Sequence, residues 1–520
     1  MRSHRCAPVE ARPPLMSTDT RSHLGPLIRG GALNMGGAII STVAGFLLVV
    51  LITSSYDKVT AGVLFSATSL FLVALSLVTL GTDVGLGRFV LLYAAESRSD
   101  AIRMCIRTAI KVVVVLSVVT AAVLLAVSPL LADVMGLGDY HGSTVISILA
   151  IALPASALGS VALASTRAFG LMSPTVAIDR VGRSLAQPAF VGICVILGTG
   201  IVALTTAWVL PDVLLAAAAC LVLHRVLERR APRGPVVHDG PVIRREFWTF
   251  TWPRSIASVS QILLQRADII IVGALISPSA AAVYTAATRF VAFGKFGVQA
   301  LQQVLQPKFT HLLATRQHDV LREVFKISSA WSVLLAWPIY LAIGCAPAVY
   351  LSLFGDGFVG PGTTTVVVMM LGMLVAIYSG PVDTVLLMSG RSTTSLINSL
   401  TALAIDIGLC FLLIPRLGIS GAAIAWALAV TVRAVLAYLQ VRRSQKISPV
   451  SAASAIAAGA SAGCFALPML GLTLTGRTSL VAFATVGLGG TVVYLAVLRL
   501  ARKPLQLESL GALLRRPSRQ

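Results

Sequence analysis

The sequence lacks the residue patterns on which most enzymes and metal-binding domains depend. Its seven cysteines are scattered, with no C-x-x-C pair and no histidine cluster near them, which argues against a disulfide framework and a zinc site. It contains neither the Gly-x-x-x-x-Gly-Lys-Ser/Thr loop that holds nucleotide phosphates nor a nucleophile elbow nor a histidine pair at metal spacing. These absences disfavour an enzyme, and we expect no metal and no cofactor.

Charge is scarce as well. Only 12% of the 520 residues are charged and 56% are hydrophobic, and the mean hydropathy is +0.88. A membrane-spanning helix needs roughly 20 apolar residues, and uncharged runs of at least that length recur along the chain. The sequence therefore predicts an all-α polytopic membrane protein with about fourteen transmembrane helices. The predicted spans are 30–53, 61–82, 109–131, 144–166, 184–202, 204–223, 253–276, 280–305, 327–350, 362–388, 393–414, 417–440, 451–473 and 478–498.

The positions of the basic residues predict the orientation. Counting Lys111 and Arg254 at the inner ends of their spans, 34 of the 41 Lys and Arg fall on one face of the membrane, which the positive-inside rule makes the cytoplasmic face. Both termini are then cytoplasmic, in a plasma or inner membrane. The net charge of +21 therefore reflects topology and attraction to anionic membrane lipids rather than nucleic-acid binding. The first apolar run is too long for a secretory signal, so we interpret it as a retained helix, with Met1 and Met16 both candidate starts.

A weak internal repeat divides the chain. Shifting the sequence against itself places Ala61-Gly-Val-Leu-Phe-Ser-Ala-Thr68 over Ala281-Ala-Val-Tyr-Thr-Ala-Ala-Thr288 without a gap. Since each unit would have six spans, both units enter from the same side, which predicts two lobes in a parallel pseudo-twofold repeat around a central cavity. The predicted segments are a cytoplasmic tail (1–29), an N lobe (30–224), a basic cytoplasmic linker (225–252), a C lobe (253–441), two further helices (442–500) and a basic cytoplasmic tail (501–520).

Polar residues within the apolar spans are the main functional signal. The seventh and eighth predicted spans each carry polar residues at steps of three and four, with Ala292 filling one gap in the second, which places them on one face of a helix. Two interpretations remain open: hydrogen bonds that hold helices together, or the lining of a cavity. The first unit has no such charge at the equivalent positions, which read Asn34, Ala38, Ser41, Gly45 and Leu48. The two stripes are Arg254, Ser258, Gln261, Gln265 and Asp268, followed by Thr285, Thr288, Lys295, Gln299, Gln302 and Gln306.

Three cations lie at a similar depth in these two spans: Arg266, Arg289 and Lys295. An ionisable side chain near the bilayer centre costs about 2.5–3.5 kcal/mol on insertion scales, so it normally faces water or a partner. Forked arginine donors and a compact ammonium suit a phosphate or diphosphate group. The alternative is an internal ion pair with Asp268 or Asp406. We further expect Asp406 and Arg433 to form a structural ion pair between neighbouring helices.

Several short motifs resemble those of polysaccharide-type flippases of the multidrug/oligosaccharidyl-lipid/polysaccharide (MOP) exporter superfamily. Each motif alone is degenerate, but together with the fourteen-span layout they cover most of the chain. One departure is the first predicted span, which has none of the charge usual in lipid II flippases or in many drug antiporters. The motifs are Leu80-Gly81-Thr-Asp-Val-Gly85-Leu-Gly-Arg88, Asp268-Ile-Ile-Ile-Val-Gly273, Val283-Tyr284-Thr-Ala-Ala-Thr-Arg289, Pro307-Lys308-Phe and Pro415-Arg-Leu-Gly418-Ile-Ser-Gly421-Ala-Ala-Ile-Ala425.

The resemblance implies a transporter that turns a polyprenyl-diphosphate-linked oligosaccharide from the inner to the outer leaflet by alternating access. Its implied partners are this lipid-linked oligosaccharide, membrane lipids, and a polysaccharide polymerase or glycosyltransferases. The substrate-binding candidates are Gln261, Gln265, Arg266, Asp268, Arg289, Lys295 and Gln299. A drug or small-molecule cation antiporter of the same superfamily remains an alternative. A membrane-embedded glycan polymerase is a third, although it usually needs a long outer loop that this sequence lacks.

Overall fold

The computed structural model describes residues 20–96, 98–232, 240–355, 357–476 and 479–506, with side chains from residue 33 onward. Over these ranges the chain is helical without a β-strand, which confirms the predicted all-α class. Both candidate start methionines and most of the two predicted tails lie outside the described residues, as does 233–239 of the predicted linker.

The described residues of the first half of the chain form seven α-helices. A π-helical segment, Thr175–Arg183, leads directly into the sixth of them. We keep the predicted name N lobe for this half, and we call the predicted cytoplasmic side of the molecule its inner end. The helices are α1 (Thr20–Ser55), α2 (Lys58–Thr79), α3 (Thr82–Ala95), α4 (Ser99–Val134), α5 (Gly142–Ala168), α6 (Ser184–Ile196) and α7 (Ile201–Arg230).

The second half contains the C lobe and the appended helices. The C lobe comprises α8 (Gly240–Leu275), α9 (Pro278–Ala314), α10 (His318–Cys345), α11 (Pro347–Leu351), α12 (Val359–Tyr378), α13 (Val382–Met388), α14 (Ser392–Leu417) and α15 (Ile419–Gln445). The appended part comprises α16 (Ala452–Ser461), a π-helical turn (Ala462–Ala466), α17 (Leu467–Leu474) and α18 (Leu480–Leu500).

Twelve helical segments in the described residues are long and apolar enough to cross a membrane. The two predicted spans outside this set are 184–202 and 280–305. The first corresponds to α6, which has only 13 residues. The second corresponds to α9, which has 37 residues but carries a polar stripe. Since α9 packs among α2, α8, α10 and α12, its polar face need not meet lipid.

Several predicted boundaries differ from the helices because the local backbone requires it. The predicted linker 225–252 is mostly helical, since α7 continues to Arg230 and α8 begins at Gly240. The Arg103 guanidinium donates to the carbonyl oxygen of Leu227 at 3.0 Å and to that of Ala231, which satisfies the end of α7. The predicted span 362–388 is broken, because Gly380 has a φ of +75° that ends α12 before α13 begins.

Helix bounds in the two halves agree with the predicted repeat. Helices α1 and α8 are each 36 residues long. Their first residues are as far apart in the sequence as Ala61 and Ala281, which the predicted repeat aligns, and we call this separation the offset of the repeat. The same offset separates the first residues of α2 and α9. Both second helices have a side-chain N-cap, Asp57 for α2 and Ser277 for α9. This correspondence of starts, lengths and caps supports two structurally related halves.

The two halves meet closely where α2 and α9 begin. A Cβ atom added to Gly62 would overlap the backbone carbonyl group of Pro278, and one added to Gly273 would lie 2.7 Å from the Ser66 hydroxyl oxygen. A buried apolar cluster surrounds this contact and joins residues of α1 and α2 to residues of α9, α10 and α12. The lobes are therefore packed backbone to backbone at their outer end.

Candidate functional site

The two polar stripes lie on the antiparallel helices α8 and α9, and both become more exposed toward the inner end. At the outer end Asp268 and Thr285 are 2% and 1% exposed. Farther in, Gln261, Gln265 and Gln299 are exposed. Because residues at these steps share a helix face, the change in exposure indicates a polar cleft. It is closed at the outer end and open at the inner end.

The glutamines of the stripes do not tie helices together. Gln261, Gln265 and Gln299 make no hydrogen bond to another residue within the described ranges. A reciprocal amide pair of the expected kind does occur elsewhere, between Asn398 and Gln440 at 2.7 and 2.8 Å. The geometry therefore favours cleft lining over interhelical hydrogen bonding for these three glutamines.

Asp268, predicted as part of the lining, is instead buried between helices. The Tyr284 hydroxyl donates to its carboxylate at 2.5 Å, and the backbone N–H of Ile269 donates to the other oxygen at 2.9 Å. Asp268 lies on the same helix face as Gln261, but at its depth α9 covers that face. Asp406 on α14 is close enough to repel it, is 1% exposed, and has one carboxylate oxygen without a hydrogen-bond partner.

The three predicted cations are half-buried and form no ion pair in the described part of the chain, although Asp268 attracts Arg266. Arg266, Arg289 and Lys295 make neither an ion pair nor a hydrogen bond there, and the Nε of Arg289 is buried without a partner. Arg266 and Arg289 are close enough to repel each other. The expected alternative, an ion pair with Asp268 or Asp406, is not formed within the described residues. Asp268 attracts Arg266 but accepts its hydrogen bonds from Tyr284 and Ile269. An unpaired cation in a low-dielectric site is costly, so this arrangement favours binding of an external anion.

The predicted Asp406–Arg433 ion pair is wrong. Arg433 donates to Asp383 of α13 at 2.6 Å. On α15, Arg433 lies seven residues from Gln440 and so shares its face, which packs on Asn398 of α14. On α14, Asp406 is eight residues from Asn398, a rotation of about 80°, which turns it toward α8 and α9 instead.

A cavity of about 350 Å³ lies between α2, the start of α3, α5 and α8, and it contains charged residues that sequence reasoning missed. Gln265 and Arg266 line it from the C lobe, while Asp83 and Arg167 line it from the N lobe. Arg167 follows directly after the predicted span 144–166, but it belongs to the last turn of α5. The feature of the sequence that could have pointed to Arg167 is its position at the inner end of an apolar helix, about four turns beyond Pro154.

The comparisons with known proteins agree with this architecture. Residues 64–360 match the model of a family described as polysaccharide biosynthesis protein. No curated protein matches the chain. Its fold is similar to that of the lipid II flippase MurJ in an inward closed conformation, with a TM-score of 0.71 and 13% identity over 90% of this chain and 98% of MurJ.

Two other solved structures of the MOP superfamily are also similar. An inward-facing multidrug resistance MATE family transporter has a TM-score of 0.64 and 14% identity, covering 78% of this chain and 94% of its own. A MOP superfamily transporter from Pyrococcus furiosus has a TM-score of 0.55 and 14% identity, covering 81% and 95%. At these identities the similarity shows a shared fold and does not show a shared substrate.

Proposed function

The chain belongs to the polysaccharide biosynthesis protein family, and we propose that it transfers a polyprenyl-diphosphate-linked oligosaccharide from the inner to the outer leaflet. The match covers more than half of the chain, and the fold is that of MOP superfamily transporters. The chain is thus a multi-pass membrane protein of a transporter fold. The substrate and the direction of transfer are our proposal.

The observation that carries the proposal is a set of three cations that form no ion pair or hydrogen bond within the described residues. Arg266, Arg289 and Lys295 belong to helices α8 and α9, whose polar faces open toward the inner end. A diphosphate offers several oxygens to the two guanidinium forks and a compact charge to the ammonium. A cationic drug would be repelled by the same three side chains, which disfavours the drug-antiporter alternative.

The packing of the lobes supports alternating access. The outer end is closed by the contact of Gly62 with Pro278, while Gln261 and Gln299 are exposed farther in. A head group would enter this cleft from the inner leaflet while its polyprenyl chain stays in lipid. Rocking of the two lobes would then separate the outer contact and expose the head group to the other side.

Further expectations follow from the same proposal. The protein would reside in the plasma or inner membrane with both termini cytoplasmic, as the distribution of basic residues predicts. A polysaccharide polymerase or glycosyltransferases would supply and consume its substrate. The protein itself would catalyse no covalent step and use no cofactor or metal.

Reconstitution into liposomes tests the proposal. Purified protein is incorporated together with a fluorescent polyprenyl-diphosphate oligosaccharide, and an impermeant reagent reports how much of the lipid has changed leaflet. We expect transfer that depends on the protein and is inhibited by excess prenyl diphosphate. Transfer no faster than in protein-free liposomes, together with protein-dependent uptake of a cationic dye, would support the antiporter instead.

A further inference from the structure

The cavity between α2, α3, α5 and α8 brings the two lobes together around charged and hydroxyl groups. Its volume of about 350 Å³ lies in the range of small-molecule sites, roughly 300–1,000 Å³. Three of its four walls belong to the N lobe and one to the C lobe. The polar residues that line it are Ser76, Thr79, Thr82, Asp83, Ser160, Arg167, Ser258, Gln265 and Arg266.

Most hydroxyl groups of the lining already donate their protons within their own segment. Thr79 donates to the carbonyl oxygen of Leu75 at 2.9 Å, and Ser160 donates to that of Ser156 at 3.0 Å. Thr82 and Ser258 are bonded in the same way, at 2.8 and 3.2 Å. Such hydroxyls present lone pairs to the cavity, so they can accept hydrogen bonds from sugar hydroxyls but offer little to an anion.

The donors suited to an anion are the two arginines, one from each lobe. Arg266 of the C lobe has no ion pair or hydrogen bond within the described ranges. Arg167 of the N lobe has one hydrogen bond, to the Thr175 hydroxyl oxygen at a long 3.4 Å. Asp83, which lines the same cavity, attracts Arg167, as does Asp179, whereas Arg180 repels it. No carboxylate oxygen lies within ion-pair distance of Arg167 in the described residues.

We propose that Arg167 and Arg266 bind the same anionic head group and thereby link the two lobes, with the first sugar held on the neighbouring hydroxyl groups. This inference rests on the proposed function and extends it, because it assigns half of the diphosphate site to the N lobe. Asp83 attracts Arg167 while the site is empty and competes with the incoming anion. The bound anion removes the repulsion that otherwise opposes approach of cations from the two lobes.

Direct binding to the purified full-length protein tests this assignment, with a short-chain prenyl diphosphate as the probe. Losing one charge-assisted contact should weaken binding by about 10- to 100-fold in Arg167→Ala. Arg167→Lys keeps the charge without the fork and should lie between Arg167→Ala and wild type. Asp83→Asn removes the competing carboxylate and should bind severalfold more tightly. Arg229→Ala, at the exposed inner end of α7, is the matched control and should bind like wild type.

The outcomes separate this inference from the proposed function. If wild type binds the diphosphate and Arg167→Ala binds it equally tightly, the role of Arg167 is overturned and the proposed function stays intact. Equal binding of the diphosphate and the uncharged prenol by wild type would contradict the proposed function itself. If Arg167→Ala fails to fold, Asp83→Asn decides, because unchanged or weaker binding by that variant contradicts the competition between Asp83 and the anion.

Discussion

The first two helices of each lobe have the same framework but different chemistry. Helices α1 and α8 have equal lengths, and α2 and α9 begin at equivalent positions with a capping side chain. At the offset of the repeat, however, Arg266 corresponds to Phe46 and Lys295 corresponds to Leu75. The backbone arrangement is thus common to both lobes, while the three cations predicted at mid-membrane depth, Arg266, Arg289 and Lys295, belong to the C lobe.

The apolar residues of the first hairpin have a packing role. Phe46 contacts Phe290, Phe293 and Phe354 edge to face, with ring centroids 5.6, 5.4 and 5.5 Å apart. Where α8 and α9 place a buried hydrogen bond between Asp268 and Tyr284, the equivalent residues of α1 and α2 are leucines, which are also buried. One hairpin therefore supplies apolar support, and the other supplies the polar face of the cleft.

The strongest test of this difference removes the charges of the C-lobe hairpin. Replacing Arg266, Arg289 and Lys295 together by Gln should reduce lipid transfer by at least about 100-fold, because three charge-assisted contacts to the diphosphate are lost. The triple replacement of Arg442, Arg443 and Lys446 by Gln is the matched control, since these residues are exposed near the inner end of α15. If the triple variant of Arg266, Arg289 and Lys295 transfers lipid as fast as the control variant, these cations do not bind the substrate.

The outer contact between the hairpins predicts a large effect on stability. In Gly62→Ala the new Cβ would overlap the backbone of Pro278, and overpacking of this kind costs about 3 kcal/mol. Thermal unfolding in detergent should show the loss. Gly45→Ala is the control, because nothing lies within 4 Å of its Cβ position, and it should be neutral or slightly stabilising. Equal stability of Gly62→Ala and wild type would mean that the lobes do not close at this point.

The buried hydrogen bond of the C-lobe hairpin predicts a smaller effect. Tyr284→Phe removes the side-chain donor of the Asp268 carboxylate, which keeps only the backbone N–H of Ile269, and should lower stability by about 1–2 kcal/mol. The double variant Asp268→Leu/Tyr284→Phe imitates the apolar pair of the other hairpin and should regain part of this loss. Both are measured by thermal unfolding. If the double variant loses more stability than the two single variants lose together, a purely structural role for this pair would be contradicted.

The smallest expected effect concerns the N-cap residues of the second helix in each hairpin. Burial tends to raise the pKa of Asp57, but hydrogen bonds from Thr60 and Val59 outweigh it and leave the pKa below its ordinary value. A lowered pKa gives stability that is present above the unfolded-state pKa and is lost as the pH falls through the folded-state pKa. Asp57→Asn still caps the helix but does not titrate, so its stability relative to wild type should rise as the pH falls below about 4. A constant difference from pH 7 to pH 3 would contradict this.

Much of the framework was predictable because lipid imposes long apolar helices. The spacing of polar residues on α8 and α9 also predicts one polar face on each helix, and these faces become more exposed toward the inner end. Spacing gives the face of a helix but not what covers it, so Asp268 was assigned to the lining although Tyr284 seals it. Gln261 and Asp268 lie on one face of α8 but differ in exposure, and spacing alone does not predict that difference.

Long-range partners were less predictable. Arg433 pairs with Asp383 because a break at Gly380 reorients the chain before α13, and a single apolar run gives little sign of such a break. Arg167 lies one residue beyond the predicted span 144–166, so the sequence places it in the inner loop that also contains Arg180 and Arg183. The cavity that α2, α5 and α8 line together places Arg167 and Arg266 in one site, which their positions in the sequence do not show.

The central claim is that the unpaired cations of α8 and α9 hold the diphosphate of a lipid carrier. A structure of the full-length protein with a bound polyprenyl diphosphate tests this most directly. The claim predicts phosphate oxygens within hydrogen-bond distance of Arg266 and of Arg289, with the polyprenyl chain leaving toward lipid. A diphosphate bound elsewhere, with both guanidinium groups still unpaired, would contradict it.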